Sequence, residues 1–132
     1  MAKTVFDYGQ ADIAAFKQGA QNGSIQFDPQ VVTDVVRVYD TLITGLTDEL
    51  NRIKRVTNQT GFGGFPSTQQ LAAGFAGKAE QFVAVLGQFI EGAIRLQEAY
   101  LIAGDRIQEA DSKNAQALQF AAQNLGTEGA KQ

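Results

Sequence analysis

Acidic side chains at helical spacing are the first residues of this chain that could do chemistry. Asp105 and Glu109 are four positions apart, and Glu98 lies further up the same segment. Carboxylates of this kind hold metal ions in some helix bundles, but those sites draw Glu-x-x-His pairs from several helices. The chain contains no histidine. We therefore interpret the three carboxylates as a solvated acidic face and expect neither a metal site nor a cofactor.

Two tyrosines, Tyr39 and Tyr100, are the remaining candidates for acid or base catalysis. Each would need a neighbouring base or cation to lower a phenol pKa that is normally about 10. Both lie at apolar positions of predicted helices, which favours packing with the hydroxyl at the rim. Cysteine is absent as well, and no nucleophile, base and orienting group can be assembled. The sequence predicts no catalytic residues and a protein that is not an enzyme.

A glycine-rich segment and a basic cluster could in principle bind anions. The segment 61–64 lacks the Lys-Ser/Thr pair of a phosphate-binding loop and follows a predicted helix rather than a strand. We interpret it as a turn between helices. Arg52, Lys54 and Arg55 form the cluster at the end of the first long helix. They are either an anion site or charges that complement the negative end of the helix dipole, and we favour the second interpretation.

Composition excludes further classes of function. The 132 residues carry 11 Lys plus Arg against 14 Asp plus Glu, a net charge of -3. That balance argues against non-specific binding to nucleic acid, which needs a basic surface. No apolar run approaches the roughly 20 residues of a membrane span. The first 16 residues do not have the pattern of a Sec-type signal peptide.

The elements that position these residues are predicted to be helices throughout. Residues 1–24 are expected to form an arm with a short helix over 9–21, which the Asn-Gly pair after it would end. Residues 25–125 are expected to form an antiparallel helical hairpin, and 126–132 a flexible tail. The fold class is therefore all-α, with two long helices and one short N-terminal helix.

The first long helix is predicted over Pro29–Thr57. Asp28 suits the N-cap and Pro29 the first helical position, where its missing N–H costs nothing. The turn that follows is rich in glycine and aromatic residues, and Phe62, Gly63 and Phe65 are expected to close the end of the hairpin.

The second long helix is predicted from Ser67 to about Asn114, with a weaker extension to Leu125. Ser67 and Gln70 form a capping-box pattern at its start. At about 1.5 Å per residue this helix outreaches the first. Its overhang, from about Gln97 onward, would need cover from the arm or from another subunit.

The apolar face of the second helix looks too wide for one neighbour. Two adjacent rows share this face. The first row consists of Phe82, Leu86, Phe89, Ala93, Leu96, Tyr100, Ala103 and Ile107, and the second of Val83, Ile90, Ile94 and Leu101. We expect the second row, together with Val31, Val38 and Ile43 of the first helix, to bind a like hairpin. The result would be a four-helix bundle, as a homodimer or a heterodimer.

Three local patterns resemble the WXG/Esp-like helical hairpins of actinobacterial type VII (ESX) secretion. They are the Ile25–Val32 segment with its Asp-Pro step, the Gly- and aromatic-rich turn, and the Ile107–Ala115 segment. The chain has no Trp, so Phe62-Gly63 and Phe65 take the place of the Trp-x-Gly turn. Ile107 occupies the tyrosine position of the family's secretion motif, with Asp111 four residues later.

The resemblance implies a secretion substrate, or the partner or chaperone of one. Such a protein is cytoplasmic before export, reaches the medium or the cell surface through the type VII machinery, and contacts that machinery. Two alternatives stay open. One is a self-assembling structural bundle. The other is a bundle that binds the membrane surface through the 9–20 and 115–125 segments, although these lack a Lys/Arg-rich polar face.

Overall fold

The computed structural model describes residues 9–57 and 66–125, with side chains over 9–55 and 77–123. Within these ranges the elements are α1 (Gln10–Gln21), α2 (Pro29–Thr57), α3 (Pro66–Ala103), α4 (Ile107–Phe120) and a π-helical turn, Ala121–Leu125. The predicted turn at Phe62, Gly63 and Phe65 and the predicted tail at 126–132 lie outside the described residues.

The short helix and the first long helix form where their local signals predict them. Gly23 adopts a positive φ of 85° after α1, which ends the helix at the Asn-Gly pair. The Asp28 carboxylate accepts a hydrogen bond of 2.8 Å from the Gln30 N–H, and its carbonyl accepts one of 3.0 Å from Val32. Asp28 is thus the N-cap of α2, and the predicted bounds of α2 are confirmed.

The second long helix is not continuous, and the prediction that it runs unbroken to Asn114 is wrong. It ends at Ala103, where Asp105 adopts a left-handed φ of 60°. The Arg106 N–H bonds to the Leu101 carbonyl at 2.7 Å and the Asp105 N–H to Ile102 at 3.0 Å. This pair of bonds is a Schellman motif, which closes a helix end and turns the chain.

Helix α3 is the central element, and α1, α2 and α4 each pack against it. Helix α2 runs antiparallel to it, because Phe27 before α2 donates to the Ala103 carbonyl (2.9 Å) at the far end of α3. Helix α4 folds back antiparallel, so that Asn114 reaches Arg95. Helix α1 runs parallel to α3, and Lys17 pairs with Glu98. Helices α1 and α4 therefore cover the predicted overhang, with no second subunit needed there.

The core lies where α2 and α4 meet α3. One cluster of buried side chains comprises Ile43, Leu50, Leu86, Ile90, Ala93, Ile94 and Ala117. A second, nearer the α3–α4 turn, comprises Val32, Leu101 and Ala110. Both clusters draw on all three helices. The all-α, hairpin-like packing of two long helices is as predicted.

Four residues predicted to face a partner belong to this core instead. Ile43, Ile90, Ile94 and Leu101 are buried within the single chain, with Ile94 only 1 % exposed. The expectation fails for a definite reason. It assumed that α3 continues past residue 103, whereas the fold-back of α4 covers the second apolar row from within the molecule.

Candidate interaction surface

Besides Val31 at the start of α2, four large apolar side chains of α2 and α3 are exposed among the described residues. On α2 these are Val38 and Leu42, which are 68 % and 47 % exposed. On α3 they are Phe82 and Phe89, which are 51 % and 46 % exposed. Val38 and Leu42 are four residues apart, and Phe82 and Phe89 are seven residues apart. Each pair therefore lies on one side of its helix. We call these four residues the exposed strip.

A hollow of about 200 Å³ opens beside Leu42 and Phe89 of the strip. It lies between α1, α2 and α3. Its walls are apolar apart from one tyrosine, and they comprise Ile13, Tyr39, Leu42, Leu46, Phe89, Gly92, Ala93 and Leu96. Ile13 of α1 forms one wall, so the hollow continues the groove in which α1 already lies. This groove therefore already holds one apolar helical side chain, that of Ile13 in α1.

The other predicted interface residues are divided between surface and core. Val31 is 53 % exposed at the start of α2. Val83 is half-buried and packs against the larger core cluster. Of the seven predicted residues, only Val31 and Val38 offer a large exposed apolar side chain. Phe82, Phe89 and Leu42, which complete the strip, were not predicted as partner contacts.

The two positions of the predicted secretion motif lie on the surface of α4. Ile107 and Asp111 are exposed on its first two turns. They line an open cleft of about 750 Å³ between α1, the α1–α2 linker and the α3–α4 turn. Phe27 from the linker lines the same cleft and is also exposed.

The predicted acidic face does not exist as a single solvated surface. Glu98 is buried, and its carboxylate pairs with Lys17 of α1 at 3.0 Å and with Arg95 at 3.5 Å. Glu109 pairs with Arg106 at 3.0 Å, and Asp105 belongs to the turn rather than to a helix. Among the described residues no group of acidic side chains is arranged to hold a metal ion.

Arg95 extends this network to a third helix. It donates to the Asn114 side chain on α4 at 2.7 Å and lies 3.9 Å from Glu91. The Glu91–Arg95 pair thus forms part of a network that connects α1, α3 and α4. Its charged groups hold helices together, and each is neutralised by a neighbour.

A second polar network joins α2, α3 and α4. The fully buried Gln97 donates to the Val36 carbonyl at 2.9 Å and to the Asp40 carboxylate at 2.7 Å. Lys113 donates to the same carboxylate at 2.9 Å. Burial acts to raise the pKa of Asp40, but the hydrogen bonds from Gln97 and Lys113 and the charge of Lys113 hold that pKa below its ordinary value.

The two tyrosines pack in an aromatic cluster with Phe16 and Phe27. The Tyr100 ring lies edge-on to Phe16 at a centroid distance of 4.9 Å and stacks on Phe27 at 5.6 Å. Tyr39 lies 6.1 Å from Tyr100. Burial, and then the neighbouring Tyr100, raise the pKa of Tyr39. This direction is opposite to the one that a catalytic phenolate requires.

No helix in the described part of the chain is long and apolar enough to cross a membrane. Comparisons of the chain with protein-family models, with curated proteins and with solved structures find no match. The resemblance to type VII secretion proteins therefore stays a prediction from the sequence patterns.

Proposed function

We propose that this chain is a non-enzymatic interaction protein that binds a like helical hairpin through the exposed strip. The complex would be a homodimer or a heterodimer in which the partner's helices complete a four-helix bundle. In this proposal the chain serves type VII secretion, as a substrate or as the partner or chaperone of one. The alternative is a structural protein that assembles only with itself.

The strip is the observation that carries the proposal. Each of its four side chains keeps nearly half or more of its surface in water, although each belongs to a long helix whose other face is packed. Leu42 and Phe89 lie together at one hollow, and neighbouring large apolar groups on a surface are typical of protein–protein contacts. The hollow beside Leu42 and Phe89 adds the concave element that an anchoring side chain needs.

The charged residues of the two polar networks are held in ion pairs and hydrogen bonds between helices, which supports a role without catalysis. Lys17, Glu98 and Arg95 neutralise one another between helices, and Asp40 is held by Gln97 and Lys113. Catalytic acids and bases instead have pKa values tuned toward the working pH. The pKa of Asp40 is lowered and that of Tyr39 is raised, so both move away from neutrality.

The type VII part of the proposal draws on the sequence resemblance. Two of the segments that carry the resemblance have conformations compatible with a role in secretion. Asp28 and Pro29 begin α2 as a capped first turn. Ile107 and Asp111 are exposed on α4, where a secretion component could reach them.

The test is co-expression with each small helical protein encoded beside this chain, followed by pull-down on a tag and mass measurement of the complex. We expect a stoichiometric complex that Phe89→Ser disrupts. Leu118→Ser is the matched control, because Leu118 is 55 % exposed on α4, outside the strip. Equal binding by both variants would contradict the role of the strip. A chain that binds none of these proteins and does not self-associate would contradict the proposed function.

Export is tested separately by comparing culture medium from hosts with and without a working type VII system. Under the proposal, the chain or its bound partner appears in the medium only when the system works. Recovery of neither protein, in the presence of a stable complex, would remove the secretion role and leave the interaction role in place.

A further inference from the structure

The Asn22-Gly23 pair that ends α1 is the one place in the sequence where glycine follows asparagine. Asparagine amides are among the thermolabile groups of proteins, because the next backbone nitrogen along the chain can attack the side-chain carbon. Glycine has no Cβ to shield that nitrogen, and it leaves the backbone free to rotate. Asn22, Gly23 and Ser24 are all exposed, so water reaches the whole turn.

The hydrogen bonds of this turn activate the Asn22 amide. Its Oδ1 accepts a hydrogen bond of 2.9 Å from the Ser24 N–H and another from the Ser24 hydroxyl. Both donors draw electron density away from the amide carbon. They also lie beside the oxygen on which negative charge develops when a nucleophile attacks that carbon.

One backbone rotation separates the turn from the reactive geometry. Asn22 has a ψ of 1°, which places the Gly23 nitrogen on the side of the Asn22 nitrogen and away from the side-chain amide. The Gly23 N–H donates to the Ala20 carbonyl at 3.3 Å, which is long for such a bond. Gly23 lies beyond the last residue of α1. The rotation therefore breaks this long bond and leaves the hydrogen bonds within the helix in place.

We propose that Asn22 is a site of spontaneous deamidation, and that the reaction loosens the end of α1. The Gly23 nitrogen loses its proton and bonds to the Asn22 side-chain carbon, the bond from that carbon to Nδ2 breaks, and ammonia leaves. Water then opens the resulting succinimide at either carbonyl. One product carries an ordinary aspartate. The other carries an isoaspartate, in which the main chain runs through the side-chain carbons and is one carbon longer.

Both products alter the residues that cap α1. The last carbonyls of the helix, those of Gln18, Gly19 and Ala20, accept hydrogen bonds from the N–H groups of Asn22, Ile25 and Gly23 respectively. A longer main chain between Asn22 and Gly23 displaces the two donors that follow it. The new carboxylate also lies at the negative end of the helix dipole. We therefore expect α1 to open more readily after the reaction, while α2, α3 and α4 keep their packing.

The first experiment incubates the full chain in mildly alkaline buffer and follows each asparagine by peptide mass mapping and by isoaspartate-specific methylation. We expect Asn22 to react about tenfold or more faster than Asn51, which is also exposed but is followed by an N–H held inside α2. Isoaspartate should be among the products. Asn22→Gln is the matched control, because its longer side chain closes a larger ring more slowly. Reaction at Asn22 no faster than at Asn51, or a product without isoaspartate, overturns the proposal.

The second experiment separates the reacted, more acidic form by ion exchange and compares its amide hydrogen exchange with that of the fresh chain. Exchange should become several-fold faster within Gln10–Gln21 and stay unchanged at the core amides of Ile90 and Ile94. Equal exchange of α1 in the two forms, or an equal acceleration throughout the chain, overturns the specific loosening of α1. The reaction needs the chain and water alone, so this result does not depend on the proposed function.

Discussion

Single polar residues decide how the helices of this protein are aligned with one another. Gln97 is fully buried, and its amide nitrogen donates to α2 twice, while its amide oxygen has no hydrogen-bond partner among the described residues. A buried amide is costly unless it is hydrogen-bonded, so a shift of α2 along α3 would be penalised at this point. Lys113 brings α4 to the same carboxylate. Apolar packing alone would tolerate such a shift more easily.

Asp40 gives a prediction about pH. A carboxyl whose pKa is lowered on folding stabilises the folded state above its unfolded pKa, and this stabilisation is lost as the pH falls through the lower folded value. We expect Asp40→Asn to be less stable than the unmodified chain at pH 7. The difference should be about 0.5 kcal/mol, because the side chain is half exposed and solvent screens the pair. It should shrink as the pH falls below 3.8, the ordinary pKa of the group.

Urea unfolding of both proteins over a pH series measures this difference. Asp111→Asn is the control, because Asp111 is exposed and has no ion-pair partner among the described residues. A stability difference for Asp40→Asn that stays constant from neutral to acidic pH would show that its charge is not responsible.

At the scale of the elements, the turn between α3 and α4 is the decisive feature. Its two ends are joined by the Schellman hydrogen bonds, and Gly104 lies against Val32 of α2. The turn reverses the chain and places the apolar side of α4 on α2 and α3. The periodicity of residues 96–107 continues through this turn, so periodicity alone gave no sign of a break.

Asp105 provides a test of strain at this turn. A left-handed φ costs an ordinary L residue about 1 kcal/mol, while glycine adopts it freely. We expect Asp105→Gly to stabilise the protein by about 0.5 kcal/mol and Asp105→Ala to destabilise it by a similar amount. Both variants remove the same charge, so their difference in thermal unfolding reports on the backbone. Equal stability of the two variants would contradict a left-handed conformation at this position.

Gly104 provides a test of close approach. A Cβ at this position would lie 2.8 Å from the Val32 Cγ2 and 3.0 Å from its Cβ. Val32 is fully buried, and its β-branched side chain has little rotational freedom. We therefore expect Gly104→Ala to lower the free energy of unfolding by about 1–3 kcal/mol.

A double-mutant cycle with Val32→Ala separates this clash from other causes. The cost of Gly104→Ala should be smaller in the Val32→Ala background, because the clashing methyl groups are gone. If the losses in free energy of unfolding of the two single variants add up to that of the double variant in denaturant unfolding, the two residues do not clash.

At the scale of the whole molecule, the fold-back of α4 determines which apolar row of α3 is core and which is surface. Ile90 and Ile94 of the second row are covered by α2 and by Ala117 of α4. Phe82 and Phe89 of the first row lie beyond the N-terminal end of α1 and stay half exposed. Among the described residues of α3, the large apolar side chains that stay exposed are therefore Phe82 and Phe89.

The two rows should respond differently to truncation. We expect Ile94→Ala to lower the free energy of unfolding by about 2–4 kcal/mol, because it leaves a cavity in a closed core. Phe82→Ala should lower that of the dilute chain by less than about 1 kcal/mol, since its ring is half in water. Denaturant unfolding at low concentration measures both values. A larger loss for Phe82→Ala than for Ile94→Ala would reverse the assignment of core and surface.

The sequence by itself determined the features that depend on neighbours along the chain. The start of α2 at Asp28 and Pro29 and the end of α1 at Asn22-Gly23 follow from capping and turn chemistry, which act over two to four residues. The all-α class follows from the apolar period. Only the tertiary structure decided the course of the chain after Ala103, because Asp105 adopts its left-handed conformation in a turn that packs Gly104 against Val32, about 70 positions away. The burial of Ile94 and the exposure of Phe82 follow from that turn, since a helix with two apolar rows does not specify which of them its own chain will cover.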